Sequence, residues 1–91
     1  MPDASADVTI INRLGLHARP AMSVVDVAGG FSSDVRILNG TQSVDAKSIM
    51  QIMMLAATQG TQLTIEADGP DAQDAVQALA DLVNRHFDEE N

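Results

Sequence analysis

The run VTIIN, residues 8–12, is β-branched and sets Val8 and Ile10 on one side, which predicts a strand. From Ala18 the period lengthens. Ala21, Val24, Val25 and Ala28 recur at i, i+3, i+4 and i+7, predicting a helix over 18–28 with one buried stripe. Pro20 is compatible with the first turn of that helix, where its missing N–H has no intrahelical partner. Gly29-Gly30 is expected to end it through a left-handed glycine. Val35 and Ile37 alternate with Asp34, Arg36 and Leu38 in a strand over 34–38, Asn39-Gly40 reads as a turn, and a short strand follows over 42–45. A second helix is expected over 48–58, closed by Gly60. Residues 62–68 alternate cleanly, with Leu63, Ile65 and Ala67 inward. Ala72, Val76, Leu79, Val83 and Phe87 mark the stripe of a last helix, with Pro70 in its first turn and Asp71 and Asp74 near its positive end.

The order is therefore βαββαβα. Alternation in the strands implies a four-stranded antiparallel sheet with one wet face and the three helices packed on the other, an α+β fold. Ninety-one residues form a single domain, 1–91, with residues 1–7 and 88–91 expected as flexible tails. A chain of this size buries roughly 60% of its unfolded surface without staples.

Composition then removes whole classes of function. The chain has 13 acids against 5 Lys and Arg, a formal charge of −8, so it lacks the basic footprint needed for nucleic acid or anionic membrane surfaces. With no cysteine it has neither disulfides nor a thiolate site, which fits a cytoplasmic location. The opening MPDASAD is no signal peptide, and IMMLAA at 52–57 is too short to span a bilayer. The two histidines, His17 and His86, show no metal-ligand spacing, and the scattered acids suggest no paired-carboxylate site. Neither metal nor cofactor is expected.

Candidate chemistry lies at two helix starts. His17 immediately precedes the first helix, between small residues, with Arg19 two positions on. A helix N-terminus offers unpaired N–H groups and partial positive charge, which suit a phosphate. An imidazole with the ordinary pKa of about 6.5 is mostly free base near neutral pH and serves as a nucleophile. Ser48 heads the second helix in SIMQ, which reads as a capping box with Gln51 reaching back to Ser48. That role accounts for Ser48 without any further task, and a phosphate placed there would sit at the positive helix end. Ile49, Met50, Met53, Met54 and Leu55 make this helix apolar on more than one face. Ile49, Ile52, Met53 and Ala56 are expected inward, Met50 and Met54 outward on an adaptable surface.

GLHARPA, residues 15–21, resembles the active-site signature of the HPr family, histidine phosphocarriers of the bacterial phosphotransferase system. KSIM, residues 47–50, is similar to that family's regulatory-serine segment, and the order of elements matches its open-faced β-sandwich. The resemblance implies that His17 accepts a phosphoryl group on Nδ1, with Arg19 as phosphate partner. The donor would be enzyme I, charged from phosphoenolpyruvate, and the acceptors IIA-type proteins. It implies Ser48 as a target of an HPr kinase/phosphorylase. A partner-contact surface is expected over Ala18, Pro20, Lys47, Ile49, Met50, Met53 and Met54. Val24, Val25 and Asp26 stand where many members of the family carry lysines, so docking would rest less on charge. Such a carrier is stoichiometric rather than an enzyme, and is expected to be monomeric.

Two rival readings remain. One is a chiefly regulatory module controlled at Ser48, with little or no role in sugar transport. The other is a small acyl-phosphate hydrolase of similar element order, which would need a water-orienting group that the His17 loop does not offer.

Overall fold

A computed structural model describes residues 1–89. Four strands, β1 (Ala4–Thr9), β2 (Asp34–Asn39), β3 (Gln42–Asp45) and β4 (Gln62–Asp68), alternate with helices α1 (Ala18–Gly29), α2 (Ile49–Met54) and α3 (Ala72–Asn84) in the expected βαββαβα order. A 3-10 turn, His86–Asp88, follows α3. The strands form one antiparallel sheet in the order β1-β4-β2-β3. Val8, Val35, Ile37, Leu63, Ile65 and Ala67 project from one face into a core completed by Val24 and Ala28 of α1, Ile52 of α2, and Val76, Leu79 and Val83 of α3. The result is an open-faced α+β sandwich; the alternating strands bury the residues their period indicates, as do Ala21, Val24 and Ala28 of α1 and Ala72, Val76, Leu79 and Val83 of α3, while Val25 is only half-buried.

The outer face of the sheet is held by cross-strand polar pairs. Arg36 on β2 donates from Nε to Glu66 (2.9 Å) and from Nη1 to Asp68 (2.8 Å), both on β4. Thr64 donates to Asp7 on β1 at 2.8 Å. Among the described residues no helix is long and apolar enough to cross a membrane.

Several boundaries differ from the sequence reading, each for a physical reason. β1 begins at Ala4 and ends at Thr9, so residues 4–7, read as part of a tail, are strand. Their small and acidic side chains carry weak strand propensity. The strand forms because Ala4 and Ala6 lie opposite Ala67 and Ile65, and because Asp3 clasps the adjoining C-terminal end of β4. There the Asp3 N–H donates to Asp68, and the Asp3 carboxylate accepts from the Gly69 N–H, both at 2.9 Å. The other expected tail, 88–91, begins inside the 3-10 turn at Asp88, and residues 90–91 lie outside the described residues.

α1 does end at Gly29, but not through a left-handed glycine: Gly30 has φ −79° and the last turn tightens, with the Gly30 and Phe31 amides donating to Val27 and Ala28 carbonyls. Asn39 belongs to β2 opposite Gln42, so the hairpin loop is Gly40-Thr41, and Gly40 supplies the positive φ of +62°. α2 stops at Met54, four residues short of the expected end, because Ala56 adopts φ +50° and turns the chain so that Leu55 and Ala57 enter the core. Pro70 precedes α3 rather than lying in its first turn, and Phe87 is buried from beyond the helix rather than on it.

Asp71, at the head of α3, caps its neighbour's loop instead of its own helix. Its carboxylate accepts from the Ser32 N–H, the Ser33 N–H and the Ser33 hydroxyl. The Ser33 hydroxyl, with the Ser32 amide next, holds the Asp71 carboxyl below the usual carboxylate range. Arg36 does the same for Asp68. A carboxyl whose pKa is depressed by folding contributes stability above its unfolded pKa of about 3.9, and that contribution disappears as pH falls through the folded value. Urea denaturation of Asp71→Asn should therefore show lower stability than the parent protein at pH 7 and a shallower loss between pH 5 and pH 2.5. Parallel pH profiles for the two proteins would contradict this account.

Candidate functional site

The loop between β1 and α1 is built around a buried asparagine and a close backbone approach. Asn12 is fully buried and donates from Nδ2 to the Gly15 carbonyl at 2.7 Å, closing the loop on itself. Gly15 has φ +69°, and a Cβ there would lie 2.6 Å from the Ala57 carbonyl oxygen and 2.8 Å from Thr58 Cα. Only glycine permits both the left-handed backbone and this contact. With Gly15 pressed against that segment, the Leu16 N–H donates to the Ala57 carbonyl at 2.9 Å and the Leu16 side chain enters the core. His17 then leads into α1 as its N-cap.

His17 has extended backbone (φ −84°, ψ −169°), and its carbonyl accepts the first helical bond, from the Ala21 N–H at 3.0 Å. Its side chain makes no capping bond. Pro20 has no N–H, so Ala18 and Arg19 supply the open amides of the first turn, and neither has a partner among the described residues. The imidazole is half-exposed in an open depression shared with Leu14, Arg19, Ser23 and the 87–89 segment. Its Nε2 lies 2.8 Å from Glu89 Oε2, and a carboxylate has only acceptors, so Nε2 carries the hydrogen. Nδ1 makes no hydrogen bond among the described residues. Arg19 is exposed, its guanidinium free of any ion pair among those residues.

At α2, the Ser48 hydroxyl accepts from the Gln51 N–H at 3.3 Å, as the N-cap reading requires. The reciprocal half of the capping box is absent: Gln51 Oε1 accepts instead from the Asp45 N–H at 2.9 Å, because the end of β3 brings that amide closer. Ile52 is the one residue of α2 that is buried. Ile49 is 39% exposed and Met53 43%, and Ala56 is exposed, so the expected inward stripe is corrected to Ile52 alone. A six-residue helix presents fewer than two turns, and the core meets a single side chain of it. Met50 and Met54 are exposed as expected, as are Met22 of α1 and Leu14 of the loop before it. Of the remaining expected contact residues, Ala18 is exposed, Pro20 is buried, and the half-buried Lys47 is committed to the Phe31 carbonyl at 2.9 Å.

Two residues of the site escaped the sequence reading, Asn12 and Glu89. Asn12 looked like the end of a strand, and Glu89 like part of an acidic tail with no signal to distinguish it.

Fold and loop together define a small open-faced α+β protein whose chemistry is concentrated in one histidine at a helix start. A family model described as the phosphorylation site of the HPr component of the phosphotransferase system matches residues 4–85. The chain is 51% identical over 83 residues to the phosphocarrier protein HPr of Cupriavidus necator, covering 91% of this chain and 93% of that one. It is 49% identical over 84 residues to the HPr of Pseudomonas aeruginosa, with the same coverage. A crystal structure of HPr from Thermoanaerobacter tengcongensis superposes with a TM-score of 0.92 at 41% identity, covering 97% and 99% of the two chains. The chain belongs to the HPr family, the phosphocarrier component of the phosphotransferase system.

The Gly15 contact sets the loop. Gly15→Ala is expected to destabilise the protein by about 2 kcal/mol or more, from the left-handed backbone and the collision with Ala57. Thermal melting should show a drop on the order of 10 °C, and hydrogen exchange should show a Leu16 amide that has lost protection. An unchanged midpoint with a protected Leu16 amide would refute it.

Proposed function

We propose that His17 accepts a phosphoryl group on Nδ1 from the phosphohistidine of enzyme I and passes it to IIA-type acceptors. The observation that carries this reading is the combination at one helix start: an unpartnered Nδ1, the open amides of Ala18 and Arg19, and the uncommitted Arg19 guanidinium. In the transfer, the donor's P–N bond breaks with its electron pair staying on the donor nitrogen, and a P–N bond forms to Nδ1. The phosphoryl oxygens then face the amides and the guanidinium. A helix terminus contributes only about 0.3–1 kcal/mol to such an anion. That modest hold suits a group that must be handed on. The partners supply the remainder of each active site, so the chain acts stoichiometrically, as a cytoplasmic monomer.

Ser48 is the regulatory site of the same reading, phosphorylated by an HPr kinase/phosphorylase. Its hydroxyl already sits at the head of α2, and the exposed Ile49, Met50, Met53 and Met54 extend from it. A phosphate there leaves the helix end electrostatically content while placing a dianion at the rim of an apolar docking surface. Repulsion and desolvation of roughly 2–4 kcal/mol would weaken partner binding about 30- to 1,000-fold.

Incubation with a cognate enzyme I and radiolabelled phosphoenolpyruvate should place acid-labile, alkali-stable label on the native protein and none on His17→Ala. Native protein left unlabelled by an active enzyme I would overturn the carrier reading. In titrations with enzyme I, Ser48→Asp, which adds half the charge of a phosphate, should bind about 5- to 30-fold more weakly. Undiminished affinity would remove charge as the means of regulation.

A further inference from the structure

We propose that Glu89 is a positioning residue for His17, holding the proton on Nε2 so that Nδ1 keeps its lone pair for the incoming phosphoryl group. The proposal rests on the carrier reading of His17. Glu89 Oε2 lies 2.8 Å from Nε2, while Glu89 Oε1 accepts from Asn12 Nδ2 at 2.9 Å. Asn12 is the fully buried residue that closes the active loop through the Gly15 carbonyl, so one amide group aligns both the loop and the carboxylate. The Glu89 side chain is only 12% exposed, well below what an acid without a task shows.

The backbone that delivers Glu89 is strained. His86, Phe87 and Asp88 hold φ of +59°, +55° and +62° in succession, a conformation that non-glycine residues rarely adopt even singly. Such strain persists only where the surroundings over-determine it. Here they do: Phe87 is buried beside Leu16 and Val83, the Arg85 guanidinium pairs with Asp88 at 3.0 Å, and the Glu89 N–H donates to the His86 carbonyl at 2.9 Å. Phe87 thus anchors in the core the short segment whose next acid but one meets the imidazole.

In the transfer, the ring becomes cationic once the P–N bond forms at Nδ1, and Nε2 keeps its proton throughout. The Glu89 carboxylate then faces a positive charge it did not face before, so the contact strengthens as the bond forms. No proton has to enter or leave.

Glu89→Ala removes both the acceptor and the charge; Glu89→Gln keeps an acceptor oxygen and removes the charge. Nitrogen-15 NMR of the ring, which needs no partner protein, should show a slowly exchanging Nε2 proton in the parent and in the Gln variant and its loss in the Ala variant. The initial rate of phosphoryl transfer from enzyme I should fall about tenfold or more in the Ala variant, and less in the Gln variant. A labelled parent protein beside an Ala variant of unchanged ring spectrum and rate would overturn this proposal alone. A parent protein that takes no label would overturn the carrier reading, and this proposal with it.

Discussion

The Leu16 amide reaches the Ala57 carbonyl at 2.9 Å because Gly15 has no side chain to keep the two segments apart. Much of the site follows from that clasp. It buries Leu16, turns the chain so that His17 becomes the first cap of α1, and ties the entrance of α1 to the exit of α2. The other side of the clasp has its own condition: Ala57 presents its carbonyl because α2 ends early and Ala56 turns the chain at φ +50°. A hydrogen bond like this adds only about 1 kcal/mol net, but leaving either group buried and unpaired costs about 1–3 kcal/mol. Sequence changes on either segment are therefore felt at the histidine.

The protein separates stability from chemistry. The sheet carries its cross-strand ion pairs on the open face, where Arg36 is neutralised by Glu66 and Asp68. Arg85 is paired with Asp88, and Lys47 is spent on the Phe31 carbonyl. Among the described residues, Arg13 and Arg19 are the Lys and Arg side chains that make no hydrogen bond or ion pair, and both lie within four positions of His17 in the sequence. In a chain of charge −8, the uncommitted Arg19 that lines the same depression as the imidazole is the electrostatic counterpart of the open amides at the head of α1.

How much was legible depended on whether local pattern or distant pairing decided the outcome. Strict alternation at Val35, Ile37, Leu63, Ile65 and Ala67 has one consistent solution once a single face is buried, and it was read correctly. The same holds for most of the stripes of α1 and α3, though Val25 is only half-buried and Phe87 reaches the core from beyond α3. Residues 4–7 were not legible as strand, since Ala, Ser and Asp become β only when β4 offers partners. Gln51 matched a capping box in spacing, yet the amide it meets is that of Asp45, set by where β3 ends. The length of α2 was over-read because continued apolar residues look like continued helix, whereas Leu55 and Ala57 are buried from an irregular segment.

By itself, then, the sequence determined the features that depend on neighbours along the chain: the order of elements, the inward faces, His17 before a helix opened by Pro20, and Ser48 at a cap. Tertiary structure alone decided that Glu89 meets His17 across 72 positions of sequence. No local preference favours the route, because three successive left-handed residues are each disfavoured on their own. The burial of Phe87 holds them there, and burial is a property of the assembled core rather than of the chain near residue 87.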